Sequence, residues 1–137
     1  MLKRQEIENR LADFLARRKE ILFAYLFGSF TEPGVPFRDV DVGVFIHPSA
    51  AKDLDQLAYE ANLGLELSRE IGTEVDVHVI NNASVGFAHS VLRGRKLFSR
   101  DDLFLSNYIE RISQEWCDFE HLFHEGLRDI LHWDSQT

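Results

Sequence analysis

Hydrophobic positions along this chain recur in two rhythms, and the rhythm changes at glycines and prolines. Ile7, Leu11, Phe14 and Leu15 recur at helical spacing. The basic run Arg17-Arg18-Lys19 then falls where positive charge suits the negative end of a helix dipole. ILFAYLF, residues 21–27, is apolar without interruption, the pattern of a strand buried on both faces. Gly28 ends it, and TEPGVPF, punctuated by Pro33, Gly34 and Pro36, excludes regular structure. DVDVGVFI, residues 39–46, reads as a second strand. From Ser49 onward, Leu54, Leu57, Ala58, Ala61 and Leu65 predict a helix ending near Gly72. TEVDVHVI, residues 73–80, alternates strictly and predicts a third strand. A short helix is expected over 84–93, with Gly94 as its stop.

The C-terminal third predicts helix. Leu105, Ile109, Ile112, Trp116, Phe119 and Phe123 are spaced by four and three in alternation, a heptad-like seam. Such a seam packs on its own domain, or its part beyond Phe119 docks on another helical chain. The predicted order is helix, strand, strand, helix, strand, then helices: an α/β or α+β domain with a small sheet. At 137 residues the chain is expected to be one domain, residues 1–100 forming an α/β core and 101–137 a helical extension.

Composition narrows the functions. The formal net charge is −8, so the chain lacks the basic footprint needed to bind a nucleic-acid backbone. An anionic ligand would need a cation to hold it. Cys117 is the single cysteine, which excludes an intrachain disulfide. The charged start MLKRQEIENR has no signal-peptide core, and no apolar run is long enough to span a bilayer. A cytoplasmic protein with no membrane association is expected.

The candidate chemistry lies at Asp39 and Asp41. Alternate strand residues share a face at a separation of roughly 6–7 Å, so these carboxylates point the same way while Val40 and Val42 point the other. Side by side and unpaired, one would tend to take up a proton; a divalent cation removes the conflict. Oxygen ligands favour Mg²⁺ or Mn²⁺ over zinc. The pair alone is equally what a solvated strand end carries.

The third strand adds Glu74, Asp76 and His78 on one face, with Val75, Val77 and Val79 on the other. Asp76 sits among valines, where a carboxylate is costly without a partner. With the second and third strands as neighbours, Asp39, Asp41 and Asp76 converge, and a two-metal site is expected with ions about 3.5–4 Å apart. Glu74 is expected to be solvated. His78 is expected to be a satisfied structural histidine, the alternative being a supporting partner of the carboxylates. Gly28-Ser29 supplies the other half: a glycine lets the backbone turn close to a ligand, and a short helical turn starting at Ser29 would offer N–H groups and a hydroxyl to phosphate.

Together, FGSF, RDVDVGVF and EVDVHVI, spanning residues 27–80, resemble the nucleotidyltransferase domain of the polymerase β superfamily. More narrowly, the chain is similar to the minimal nucleotidyltransferases (MNT) that act as antitoxins beside HEPN toxins. The resemblance implies a small mixed sheet flanked by helices. It implies Gly28 and Ser29 as holders of the nucleotide triphosphate, and Asp39, Asp41 and Asp76 as metal-binding and catalytic carboxylates. It further implies Mg²⁺, two ions, with ATP as substrate, and transfer of AMP to a tyrosine hydroxyl of a HEPN-type toxin. Two positions depart from that pattern. Thr31-Glu32 stands where many relatives carry an arginine, and Arg38 precedes Asp39, where it is expected to pair with Glu32. Two other functions compete: a non-catalytic antitoxin that covers its toxin, and an aminoglycoside-type small-molecule nucleotidyltransferase. Three converging acids argue against a pure binder, and the short chain leaves little to build a small-molecule acceptor pocket.

Overall fold

A computed structural model describes residues 3–34 and 39–135, with side chains through residue 131. The elements run α1 (Arg4–Ala16), β1 (Ile21–Phe27), a 3-10 turn (Ser29–Thr31), β2 (Val40–Ile46), α2 (Pro48–Ala51), α3 (Gln56–Ile71), β3 (Val75–Val79), α4 (Val85–Leu92), β4 (Arg95–Ser99) and α5 (Asp102–Ser135). The four strands form one mixed sheet in the order β3-β2-β1-β4. β1 is antiparallel to both of its neighbours, and β2 and β3 are parallel. The unbroken apolar run of β1 follows from this central place, since both of its faces are covered. Ala24 and Leu26 pack with Ile7, Leu11 and Leu15 of α1 and Leu63, Leu67 and Ile71 of α3. Phe23 and Tyr25 face the other way, onto Ala88 and Val91 of α4 and Leu105, Tyr108 and Ile112 of α5.

Three features differ from the sequence reading. The helix expected from Ser49 to Gly72 is two helices. Asp55 accepts a hydrogen bond from the N–H of Ala58 (3.2 Å) and so starts α3 afresh. Its buried face is Leu63, Leu67 and Ile71, while Leu57 and Leu65 are 79% and 56% exposed. α3 carries two apolar stripes at helical spacing, so periodicity alone does not select between them. Gly64 lies on the buried side, where an added Cβ would stand 3.1 Å from the Val75 carbonyl oxygen; the stripe beside it is the one that can press onto the sheet. The third difference is β4, which the pattern did not reveal. It is five residues long, and it exists because β1 would otherwise have an open edge.

The other edge, β3, is guarded by α3. Ser68 Oγ accepts from the N–H of Val75 at 2.9 Å, and Glu60 Oε2 accepts from that of Val79 at 2.8 Å. These bonds satisfy outward-facing donors that would otherwise invite another strand.

Gly94, expected only as a helix stop, leaves less room for a side chain than any other described glycine. A Cβ there would lie 2.0 Å from the carbonyl oxygen of Leu26. Such an overlap is with backbone and cannot be relieved by a rotamer change. Gly94→Ala is expected to cost about 1–3 kcal/mol of stability, as overpacking does. Denaturant unfolding checks this, and an unchanged midpoint would contradict it.

α5 begins against the sheet and leaves it. Leu105 and Ile112 are buried, and the ring of Trp116 stacks on His89 of α4 at 4.3 Å. Beyond it Phe119, Leu122, Phe123, Leu127, Ile130 and Leu131 are exposed. The first part of the seam packs on its own domain and the later part does not.

Candidate active site

Strand register brings the predicted acids together. Asp41 pairs with Asp76 across β2 and β3, and Val42 pairs with Val77 one step on. Side chains at paired positions leave the same face of a sheet. Both aspartates therefore emerge on the α4–α5 face, and the valines enter the core on the other. Asp39 precedes β2 by one residue, has the same parity as Asp41 and is exposed. Pairing with the third strand starts just after it, where the N–H of Val40 donates to the Glu74 carbonyl at 3.0 Å. Glu74 itself is exposed, as expected.

The antiparallel pairing of Phe27 with Asp41 sets the end of β1 beside this pair. Gly28 follows with φ +82°, and a Cβ there would stand 2.6 Å from Asp41 Oδ2. A side chain is thus excluded both by backbone conformation and by the carboxylate. The expected helical turn does start at Ser29. The N–H of Thr31 donates to the Gly28 carbonyl and that of Glu32 to the Ser29 carbonyl, both at 3.1 Å. Arg4 of α1 ties the turn down by donating to the carbonyls of Phe30 (3.0 Å) and Glu32 (2.7 Å). The expected Arg38–Glu32 pair involves a residue outside those described.

Burial pushes the Asp41 carboxyl above the usual aspartate range, and the charges of Asp76 and Asp39 push it further; His78 acts in the opposite direction. His78 Nε2 lies 3.6 Å from Asp41 Oδ1. Its ring sits against Phe27 and Phe87, with centroids 5.5 Å from each. Of the two expectations for His78, this geometry matches the alternative, a partner of the carboxylates: it is partly exposed and faces Asp41. As the side chains stand, no group of three or more His, Cys, Asp or Glu among the described residues is arranged to hold a metal ion. The donor set still fits a hard divalent cation. Asp39, Asp41 and Asp76 offer only oxygen and lie on one face, and the charges of Asp76 and Asp39 add to the burial that raises the Asp41 carboxyl.

A cleft of about 530 Å³ opens beside the Gly28-Ser29 turn, and none of Asp39, Asp41 and Asp76 is among its lining residues. Gly28, Ser29, Thr31 and Glu32 line one part of it, and Ser90 and Arg93 of the α4 end line another. Sequence reading did not single out Ser90 or Arg93. The one signal was indirect: Gly94 marks where α4 ends and the chain presses onto β1.

A mixed sheet with paired acids at its rim and a glycine-serine turn beside them defines a nucleotide-transfer scaffold. Residues 9–103 match the family model "Polymerase beta, Nucleotidyltransferase", and the chain belongs to this family. No curated protein matches it. Among solved structures, it is similar to a chain of the tri-AMPylated Shewanella oneidensis HEPN toxin in complex with MNT antitoxin. That match has a TM-score of 0.69 at 19% identity and covers 94% of this chain and 99% of that one. A chain of a toxin–antitoxin structure with AMP-PNP matches with a TM-score of 0.62 at 21% identity, covering 88% of this chain and 98% of that one. The toxin–antitoxin structure MntA-HepT gives 0.59 at 21% identity, over 90% and 98%. At these identities the likeness is one of fold.

Proposed function

We propose that this chain is a Mg²⁺-dependent protein adenylyltransferase and an antitoxin: in the cytoplasm it transfers AMP from ATP to a tyrosine hydroxyl of a HEPN-type toxin. The observation that carries the reading is the register pairing of Asp41 with Asp76 directly beside the Gly28-Ser29 turn. Likeness in fold to chains from HEPN toxin–MNT antitoxin structures supports the choice of partner.

In this reading Asp39, Asp41 and Asp76 hold the divalent cations, and Gly28 and Ser29 hold the triphosphate. Bound Mg²⁺ or Mn²⁺ would neutralise phosphate charge and lower the pKa of the acceptor hydroxyl. Asp76 accepts the hydroxyl proton as the acceptor oxygen bonds to the α-phosphorus and the bond to pyrophosphate breaks. The turn held by Arg4 and the rigid strand pair keep these groups in place, which is most of what phosphoryl chemistry asks of a protein. The exposed apolar face of α5 beyond Trp116 is the surface offered to the toxin.

The test is transfer of labelled AMP from ATP to the purified product of the adjacent gene, with and without EDTA. Label on a tyrosine of that protein, abolished by EDTA, is expected. A toxin that is neutralised yet recovered unmodified, as judged by intact mass, would replace this reading with one of masking by α5.

A further inference from the structure

We propose that Arg93, at the end of α4, supplies the cationic contact to the β- and γ-phosphates of the nucleotide. The inference rests on the nucleotidyl-transfer reading and extends it to a residue outside the acid and glycine-serine motifs. The turn after β1 reads Gly28-Ser29-Phe30-Thr31-Glu32 and contains no cation. Glu32 even adds a negative charge to the lining of the cleft. A triphosphate entering a protein of net charge −8 needs compensation along its length, and ions held by the acids reach only the end near them.

Arg93 is placed to provide the rest. It lines the same cleft as Gly28, Ser29 and Thr31, and it is the one cation among the described residues that do so. It is exposed, and no described residue forms an ion pair or side-chain hydrogen bond with its guanidinium. Its neighbour Arg95, by contrast, is engaged with Glu8 at 3.2 Å. Ser90 lies three residues earlier on α4, hence on the same helical face, and lines the cleft too.

The position is built by the fold. Gly94 presses onto the Leu26 carbonyl, which sets the end of α4 against the end of β1, where Gly28 begins its turn. Chemistry assigns the phosphates. The α-phosphorus must lie at the acids, where the new bond forms, and Gly28 marks that end, since a Cβ added there would stand 2.6 Å from Asp41 Oδ2. The cleft beyond Gly28 is left for the β- and γ-phosphates, whose oxygens a guanidinium can bind in bidentate fashion. As the bond from the α-phosphorus to its leaving oxygen breaks, negative charge moves onto pyrophosphate, and Arg93 stabilises it there.

The experiment measures Mg²⁺-dependent binding of ATP and AMP by calorimetry to the full chain, with melting curves alongside. Arg93→Ala is expected to weaken ATP binding by about 10- to 100-fold, with AMP binding and melting temperature unchanged. Arg93→Lys should recover part of the loss. Equal ATP affinity in wild type and Arg93→Ala would overturn the proposal, and so would a parallel loss of AMP affinity in a folded variant. The two readings fail differently. A wild type that transfers AMP while Arg93→Ala binds ATP normally sinks only the role of Arg93. A wild type that binds ATP through Arg93 but transfers nothing sinks only the transferase reading. A wild type that binds no ATP sinks both.

Discussion

An Asp39→Ala/Asp41→Ala protein is expected to lose AMP transfer to background, a fall of at least about 10³-fold, while remaining folded. Removing a single pre-organised electrostatic partner at a reacting centre costs about 10²–10³-fold, and this variant removes two of the three acids. Stability should move the other way, or not at all. Burial raises the Asp41 carboxyl above its ordinary value, so the folded state holds that proton more tightly than the unfolded chain. Ionised Asp41 therefore opposes folding, and its cost appears as pH rises from the ordinary aspartate value through the raised one. At pH 7 that cost is present in the wild type and absent from the variant. Its melting temperature should equal or exceed that of the wild type. The exposed face of α5 is untouched, so the variant should still co-purify with its partner yet leave it unmodified. Labelled-AMP transfer, a melt at pH 7 and a pull-down read the three parts separately. Full transfer by the variant would remove the acids from the mechanism.

Asp76→Asn is the second large effect, a fall in transfer of about 10²-fold or more at saturating Mg²⁺ and ATP. The substitution keeps shape and hydrogen-bonding capacity but removes the charge proposed to accept the hydroxyl proton. Asp76 pairs with Asp41 across the strands and is only partly buried, so the fold should tolerate the amide. The loss should lie in kcat, with ATP binding largely kept. A purely structural Asp76 predicts the reverse: a lower melting temperature with an unchanged rate per folded molecule. Kinetics and melts on the same preparation separate these outcomes.

Much of this molecule was legible before any coordinates. Strand rhythm is local physics. The apolar run 21–27, the alternation of 73–80 and the glycine between 27 and 29 each determine a conformation over a few residues, and β1, β3 and the turn at Ser29 fall there. Parity along a strand likewise determined that Asp39 and Asp41 share a face, and that Asp76 and His78 share another. What the sequence could not determine was which of two equivalent local solutions the rest of the chain would select. α3 has two apolar stripes, and the one beside Gly64 is buried because only a glycine lets the helix approach the Val75 carbonyl. β4 carries no strong rhythm of its own and is a strand because β1 had an edge to fill. Parity gave His78 the face of Asp76, but only the parallel pairing of β2 and β3 sets it beside Asp41 and between Phe27 and Phe87. Arg93 lies 64 residues beyond Ser29 in the chain, and no spacing rule connects them. They meet across one cleft because β1 is central, α4 packs on its face, and the missing side chain of Gly94 lets the backbone close on Leu26.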